Sequence, residues 1–240
     1  MSCRGWQGWG RGLRGVGKLV SHSTPRQPIH GCALPEDLFP DWRRDFGRAG
    51  AQRLELEIGP GRGHFALDHA AAHPEVDLVA IETRRADCEL IRGRAGSRRV
   101  RNLIVLQGDA RLLVPRSFRP GELCALHVHF PDPWWKRRHH KRRMVDMELA
   151  LLMRTLLAEG GGVDFRTDVS AYAREAARTW RDAGFVPLPD EPPEVLSSRE
   201  RRYAITGQPV FRARFVNPVP GAAALAPGRT GREWSDVRRK

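Results

Sequence analysis

The sequence predicts an α/β fold with a mainly parallel, doubly wound sheet, on three observations. Short apolar runs alternate with longer helical patterns, as expected of strand–helix–strand units. A glycine-rich turn, Gly59 to Gly63, separates the first apolar run from the first helical pattern. Acidic residues follow the ends of successive apolar runs, where open α/β sheets bind their ligands.

Each strand is predicted from a compact apolar run, and each helix from apolar residues at helical spacing. The predicted strands cover residues 53–58, 77–81, 103–106, 123–130, 163–167 and 208–216. The predicted helices cover residues 64–73, 84–93, 146–158 and 171–183. Glycines at 160–162 are expected to end the third helix, and Gly184 is expected to end the fourth.

Composition divides the chain into one domain and two tails. Residues 1–33 are rich in Gly, Arg and Trp, and residues 217–240 in Pro, Gly and Ala, so both are predicted to be disordered. One domain is expected over residues 34–216. The tails carry +8 of the formal net charge of +13, so a local cluster of cations is better evidence for a nucleic-acid partner than the overall charge.

The sequence predicts a soluble, cytoplasmic protein without a metal. No apolar run approaches the length that spans a bilayer, and glycine and charge interrupt residues 11–20, where a signal peptide would need an apolar core. His127 and His129 share one face of a predicted strand, but no nearby acid, Cys or His completes a ligand set. We therefore expect buried, hydrogen-bonded histidines.

The glycine turn indicates a nucleotide-like cofactor, because glycine lets the backbone approach a ligand closely. A dinucleotide fingerprint has glycine at its first, third and sixth positions. Here the glycines are Gly59, Gly61 and Gly63, and His64 stands at the sixth position. This spacing argues against NAD and favours S-adenosylmethionine.

Three acids at successive strand ends strengthen that interpretation. Glu57, before the glycine turn, could face the methionyl end of such a cofactor. Glu82, after the second strand, could accept hydrogen bonds from the ribose hydroxyls, and Asp109, after the third, from the adenine amino group. Any one of them alone would equally suit a solvated acid or a helix cap.

Residues 130–143 (FPDPWWKRRHHKRR) join a candidate reaction centre to a cationic cluster. Asp132 stands between two prolines, which restrict its backbone, although a capping Asp in a turn is the alternative. Trp134 and Trp135 suit either stacking on a base or packing in the core. Residues 136–143, with six Lys or Arg and two His, favour phosphate contacts over a merely solvated basic face.

At these residues the chain resembles the bacterial tRNA (guanine-N7-)-methyltransferases, over residues 41–216. The resemblance rests on the string FPDPW-x-K-x-RH-x-KRR, the glycine turn, Ile81-Glu82, residues 108–110 and Thr167-Asp168. It implies a Rossmann-like class I methyltransferase: a mostly parallel seven-stranded sheet with helices on both faces and an antiparallel last strand. It also implies S-adenosylmethionine as cofactor, and a guanosine in the tRNA variable loop as substrate.

The resemblance also implies roles for individual residues. Asp132 would be the reaction centre and would line the cofactor site with Glu57, Gly59, Gly61, Gly63, Glu82 and Asp109. Lys136 and Asp168 would contact substrate. The family's Thr-x-x-Glu substrate motif has its counterpart in Ser197, Ser198, Arg199 and Glu200. Glu200 would accept hydrogen bonds from guanine, whereas Arg199 departs from the aromatic residue often found there.

Two other functions remain open from the sequence. One is a methyltransferase-fold RNA-binding protein without activity, which the departure at Arg199 would fit. The other is a small-molecule methyltransferase with an inert cationic surface. The complete set of glycines and strand-end acids argues against a protein without activity. Turnover that is insensitive to moderate salt would favour the small-molecule enzyme.

Overall fold

The computed structural model describes residues 39–47 and 53–219. The predicted tail 1–33 lies outside these ranges, as does all but the start of the predicted tail 217–240. Asn217, assigned above to the second tail, is instead buried, and its side-chain amide donates to the carbonyl oxygens of Leu157 and Ala158 at 2.7 and 3.2 Å. The packed domain therefore extends past the boundary predicted at residue 216.

Seven strands form one sheet at the centre of the described residues. They are β1 Arg53–Ile58, β2 Val76–Glu82, β3 Leu103–Gln107, β4 Leu123–His129, β5 Leu157–Thr167, β6 Val186–Pro187 and β7 Phe211–Val216. Their order is β3-β2-β1-β4-β5-β7-β6. The first five pair in parallel, and β7 pairs antiparallel with β5 and β6. The predicted mostly parallel sheet with an antiparallel last strand is confirmed.

Helices cover both faces of this sheet, as predicted. They are α1 Trp42–Asp45, α2 His64–Ala72, α3 Arg85–Ser97, α4 Ala110–Ser117, α5 Met147–Leu156, α6 Ser170–Asp182 and α7 Ser198–Thr206, with a 3-10 helix at Arg137–Arg142. Helices α4, α5 and α6 pack on the apolar face that includes Leu56 and Phe165. Apolar residues of α2 and α3 pack with residues on the opposite face, such as Leu78 and Val105. No helix among the described residues has both the length and the apolar character needed to cross a bilayer.

The structure corrects the predicted boundary between the third long helix and the strand after it. Helix α5 ends at Leu156 and β5 begins at Leu157, so the glycines at 160–162 lie inside the strand. The pairing register with β4 shifts at this point. A Cβ on Gly161 would lie 2.8 Å from the carbonyl oxygen of Ala158. The glycines therefore permit an irregular strand, which depends on tertiary pairing rather than on helix propensity.

Besides the four-residue α1 and the 3-10 helix, helices α4 and α7 were not predicted. Helix α4 contains Pro115, which normally argues against a helix interior. Helix α7 is mostly charged, and its buried residues are Glu200 and Tyr203. Both helices begin at the edge of the sheet where the predicted site residues lie, so they matter for function.

Candidate active site

The predicted acids lie along one edge of the sheet, at the carboxyl ends of five adjacent parallel strands. After β3 the chain returns to the other side of β1 to form β4, so the strand order reverses between β1 and β4. Open α/β sheets bind ligands at such a reversal. In sheet order, the acids at these ends are Asp109, Glu82, Glu57, Asp132 and Asp168. Tertiary structure thus aligns acids that are far apart in the sequence.

The glycine turn and Glu82 are built as one unit. Gly63 has a φ of 74°, and a Cβ on it would lie 2.5 Å from Cγ1 of Ile91, so no side chain fits there. The amide of Gly61 donates to Oε2 of Glu82 at 3.0 Å, and the amide of Arg84 donates to Oε1 at 2.9 Å. A carboxylate has about four acceptor sites. Oε1 also accepts a hydrogen bond from the Thr83 hydroxyl at 3.1 Å. Glu82 therefore anchors the turn and keeps about one acceptor site for a ligand hydroxyl group.

Glu57 is a buried carboxyl group with an oxygen that lacks a partner. The residue is 2% exposed, and Oε2 makes no hydrogen bond within the part of the chain that the structure describes. Burial raises the pKa of Glu57 to about 8. A cationic ligand group beside this carboxyl would restore the charged form, because opposite charge favours ionisation. The end of β1 is therefore suited to a ligand that carries an ammonium or a similar cation.

Asp132 is exposed at the end of β4, on a segment held in an unusual conformation. Phe130 and Trp134 have φ values of 49° and 45°, in the left-handed region that bulky residues rarely adopt. The amide of Phe130 donates to the carbonyl oxygen of Arg166 at 2.7 Å. Such strain persists only where the surroundings determine it, and it is concentrated at functional sites. Asp109 is also exposed, and it caps α4 through an amide two residues later, at 2.9 Å.

The cationic cluster forms the 3-10 helix and its flanks, but its members differ. Among the cluster residues whose side chains the structure describes, four cations are exposed: Lys136, Arg138, Lys141 and Arg142. Arg143 is buried, and its Nε donates to the carbonyl oxygen of Pro133 at 2.8 Å. Its guanidinium lies 4.7 Å from the ring centroid of Tyr172 and pairs with Glu175. Arg143 therefore fastens the Asp132 segment to α6 and does not face phosphates, which corrects the expectation for the cluster as a whole.

Helix α7 brings two of the predicted substrate residues together. The hydroxyl of Tyr203 donates to Oδ2 of Asp168 at 2.6 Å. Nη1 of Arg199 lies 3.7 Å from the same oxygen, and its guanidinium lies 5.2 Å from the ring centroid of Phe130. Arg199 thus joins the ends of β4 and β5 through charge and ring contacts.

Ser197 and Glu200 have a structural role at the start of α7. The Glu200 amide donates to Ser197 Oγ at 3.2 Å, and the Ser197 amide donates to Glu200 Oε2 at 2.9 Å, which is a capping box. Glu200 is buried and also pairs with Arg166 at 2.8 Å and Arg212 at 3.1 Å. Burial by itself would raise the pKa of Glu200, but Arg166 holds it below its ordinary value. Ser198 is exposed, and guanine binding by Glu200 stays a prediction.

A buried network of histidines and acids lies on the face covered by α2. Oε2 of Glu55 lies 2.8 Å from Nε2 of His69 and 2.9 Å from Nε2 of His127. Nε2 of His129 lies 3.0 Å from Oδ2 of Asp164. Contrary to the expectation from sequence, acids and a further histidine do complete two such groups around His127 and His129, because these partners come from other elements. The distances are those of hydrogen bonds, shorter than the roughly 3.3 Å between two ligands of one tetrahedral zinc ion. The predicted burial and hydrogen bonding of both histidines are confirmed.

This network sets the charges of its members. Burial would lower the pKa of His127, but Asp164 and Glu55 raise it to about 9. Nδ1 of His127 lies 3.9 Å from Oδ2 of Asp164, an ion-pair distance without a hydrogen bond. Burial lowers the pKa of His129 to about 4. At neutral pH, therefore, a cationic His127 lies between two carboxylates while His129 is neutral.

Three residues that shape this edge were missed by sequence reasoning. Arg166 follows Asp164 on the same face of a buried strand, and two opposite charges in such a strand are a signal of a buried ion pair. Arg143 cannot be distinguished by sequence from its exposed neighbours in the cationic cluster. Tyr203 lies on a helix that the apolar pattern did not reveal.

The Glu57→Gln variant is expected to be more stable than the wild type at pH 8, by roughly 4 kcal/mol. The pKa of Glu57 rises from 4.5 to about 8 on burial, so the folded state holds the extra proton between these pH values. The free energy of unfolding therefore falls as pH rises through this window, and glutamine removes that contribution. Denaturant titrations of both proteins at pH 5 and pH 8 would measure how much the free energy of unfolding changes between these pH values.

Glu148→Gln serves as the control, because Glu148 is exposed on α5. His127 contributes its own loss of stability between pH 6.5 and about 9 in every variant, so only differences between variants are compared. An unchanged pH dependence in Glu57→Gln would contradict the raised pKa.

The fold and the glycine turn beside strand-end acids define a class I methyltransferase. A solved structure with the same fold, "Crystal Structure of 16S rRNA Methyltranferase KamB", matches with a TM-score of 0.54 and 20% identity, over 74% of this chain and 92% of that chain. Residues 51–213 match a family described as "Putative methyltransferase".

Relatives identify the family more closely. The tRNA (guanine-N(7)-)-methyltransferase of Anaeromyxobacter dehalogenans is 53% identical over 190 residues, which cover 76% of this chain and 94% of that protein. The tRNA (guanine-N(7)-)-methyltransferase of Myxococcus xanthus is 43% identical over 207 residues, which cover 82% and 100%. The chain belongs to the tRNA (guanine-N(7)-)-methyltransferase family.

Proposed function

We propose that this protein transfers the methyl group of S-adenosylmethionine to N7 of a guanosine in the variable loop of tRNA, in the cytoplasm. The observation that carries the proposal is the row of acids at the carboxyl ends of β3, β2, β1 and β4, beside the glycine turn. The family to which the chain belongs supports the choice of reaction and substrate. We further propose that the catalytic domain is the part of the chain between the two predicted tails.

The cofactor side of the site would be formed by residues at the ends of β1 to β4. The buried Glu57 oxygen without a partner suits the cationic amino group of the methionyl part. The turn leaves the backbone of Gly59 and Gly61 accessible to the cofactor, and the buried Gly63 lets the turn pack against Ile91. The proposed cofactor residues also include Glu82, Asp109 and Asp132. S-adenosylmethionine would supply a methyl group on a positively charged sulfur.

The chemistry demands little proton transfer from the protein. N7 of guanine carries an in-plane lone pair and no proton, so the residues need to orient the base rather than deprotonate it. The methylated purine is positively charged, and carboxylates at Asp132 and Asp168 would stabilise this charge as it develops. Tyr203 and Arg199 hold Asp168 in place for this role.

The substrate side would combine exposed cations with α7. Lys136 and its exposed neighbours in the cationic cluster would bind tRNA phosphates, and the residues of α7 from Ser197 to Glu200 would approach the base. Because N7 takes part in tertiary pairing in folded tRNA, the target base has to be exposed before reaction.

Methyl transfer from labelled S-adenosylmethionine to unmodified tRNA tests the proposal directly. Chemical cleavage specific for N7-methylguanosine is expected to cut the labelled tRNA at a variable-loop guanosine. Calorimetry with S-adenosylmethionine separates the alternatives. Cofactor binding without label on tRNA would reject this substrate, and absence of both would favour the inactive RNA-binding protein.

The KM for tRNA is expected to rise steeply with salt concentration, because phosphate contacts release counterions. Lys136→Ala should weaken binding and lower the slope of log KM against log salt by about 0.7 to 0.9. Kinetics between roughly 50 and 200 mM salt would measure it. The control is Arg178→Ala, an exposed arginine on α6 outside the cationic cluster. A wild-type KM insensitive to salt would instead favour a small-molecule substrate.

A further inference from the structure

Trp135 is an exposed aromatic side chain within the segment that carries Asp132. It is 74% exposed, whereas the preceding Trp134 is half-buried. The guanidinium of Arg142 lies 5.0 Å from the ring centroid of Trp134, and the His139 ring meets it edge-on at 5.9 Å. The structure therefore assigns different roles to the two tryptophans: one is packed, and the other presents its ring to solvent.

The outward position of Trp135 is determined by its surroundings. The segment contains two left-handed residues, Phe130 and Trp134, which a mobile loop would relax. The amide of Phe130 donates a hydrogen bond to the carbonyl oxygen of Arg166 in β5, and Nε of Arg143 donates to the carbonyl oxygen of Pro133 at 2.8 Å. The backbone on the N-terminal side of Trp135 is thus held, and its exposed indole lies three residues after Asp132 in the chain.

The chemistry around Trp135 suits an unpaired nucleobase. Lys136 follows it directly, and exposed cations of the 3-10 helix come next along the chain. An aromatic face beside cations is the combination that binds single-stranded nucleic acid, because the ring stacks on a base while the cations hold the phosphates. Exposure of the target guanosine also leaves a neighbouring base without its stacking partner.

We propose that Trp135 stacks on a nucleobase flanking the target guanosine and so positions the variable loop for methylation. This inference rests on the proposed function and adds a specificity-determining residue to it. Stacking on a base depends on the aromatic ring and not on charge. The contribution of Trp135 should therefore be independent of salt, unlike that of Lys136.

The test compares Trp135→Ala and Trp135→Phe with the wild type in steady-state methylation of unmodified tRNA. Trp135→Ala should raise the KM for tRNA about tenfold, while kcat, the KM for S-adenosylmethionine and the salt slope stay near wild-type values. Trp135→Phe should recover most of the affinity, because a phenyl ring also stacks. Leu151→Ala, which truncates an exposed apolar side chain on α5, is the control.

A substrate with an abasic site on one or the other side of the target guanosine completes the test. On one of these two tRNAs the wild type and Trp135→Ala should have the same KM, because the stacking partner is absent. A KM for Trp135→Ala within twofold of the wild type on normal tRNA would overturn the proposal. The proposal would also be overturned if Trp135→Ala raised the KM by the same factor on both abasic tRNAs.

Failure of the role proposed for Trp135 can be distinguished from failure of the proposed function. Wild-type protein that forms no N7-methylguanosine would refute the proposed function, and with it the role of Trp135. Active wild type with an unaffected Trp135→Ala refutes the role of Trp135 alone. Tryptophan beside cations also suits an anionic membrane surface. Binding to phosphatidylserine vesicles that is lost in Trp135→Ala, with tRNA kinetics unchanged, would overturn the assignment to RNA.

Discussion

Asp132→Asn is expected to lower kcat/KM for tRNA methylation by about 10²- to 10³-fold, with little loss of stability. Asparagine keeps the size of the side chain but removes the negative charge that would stabilise the methylated, cationic purine. The backbone of the segment is held by other groups, notably the bond from Arg143 to the Pro133 carbonyl oxygen. Two measurements on the same preparation would check this prediction. The rate of label transfer to tRNA measures the loss of activity, and denaturant unfolding measures the change in stability.

Asp182→Asn provides a matched control for this variant. Asp182 is an exposed carboxylate at the last position of α6, which begins at the site edge and runs back towards the opposite edge of the sheet. Its substitution should change stability by no more than about 0.5 kcal/mol and leave activity unchanged. Near-normal methylation by Asp132→Asn would remove Asp132 from the reaction centre.

Arg166→Met is expected to lower the free energy of unfolding by about 3–5 kcal/mol. Arg166 is 1% exposed, and it contacts Asp164 at 3.0 Å and Glu200 at 2.8 Å. Methionine has a similar length but removes the cation that the two buried carboxylates share, so that among the described residues Asp164 keeps only His127 and Glu200 keeps only Arg212 as a cationic partner. Removing one member of a buried ion pair is costlier than removing the whole pair. Because Glu200 anchors α7, the variant should also raise the KM for tRNA. Denaturant unfolding and steady-state kinetics would measure these effects.

Arg212→Met tests whether the burial of Arg166 is the reason for the large loss of stability expected in Arg166→Met. Arg212 lies beside Arg166 in the sheet and also pairs with Glu200, at 3.1 Å, but its side chain is 26% exposed. Its loss should therefore cost much less stability, since Glu200 keeps its buried partner Arg166 and the guanidinium that is removed is partly in water. Equal effects of the two substitutions would show that the buried pairing with Arg166 is not what stabilises α7.

Several features of the fold could be predicted from the sequence because they depend on local patterns. The apolar run at residues 53–58 forms β1 with the predicted bounds, and the glycine turn follows it. Alternation of strands and helices indicated a parallel sheet, whose carboxyl ends gather the acids on one edge. The predicted boundary near Gly161 was wrong because a strand irregularity depends on the neighbouring strand, which is not adjacent in sequence.

The candidate site, like the fold, has some residues that the sequence predicts and others whose role only the structure reveals. Glu57, Glu82, Asp109 and Asp132 could be proposed from their positions after predicted strands. The sequence offered no means of separating Arg143 from its exposed neighbours, because identical side chains differ only in what packs around them.

Local sequence patterns were enough to predict the class of fold, the family and the candidate acids of the site, because apolar periodicity, turn glycines and a specific motif are all short-range properties. Which charges are buried and which face solvent became known only from the folded chain. Folding placed Glu200 in a capping box and an ion pair, enclosed His127 between two carboxylates, and left Trp135 exposed. Burial and charge pairing depend on which residues meet in space, and strands and helices far apart in the chain supply those partners.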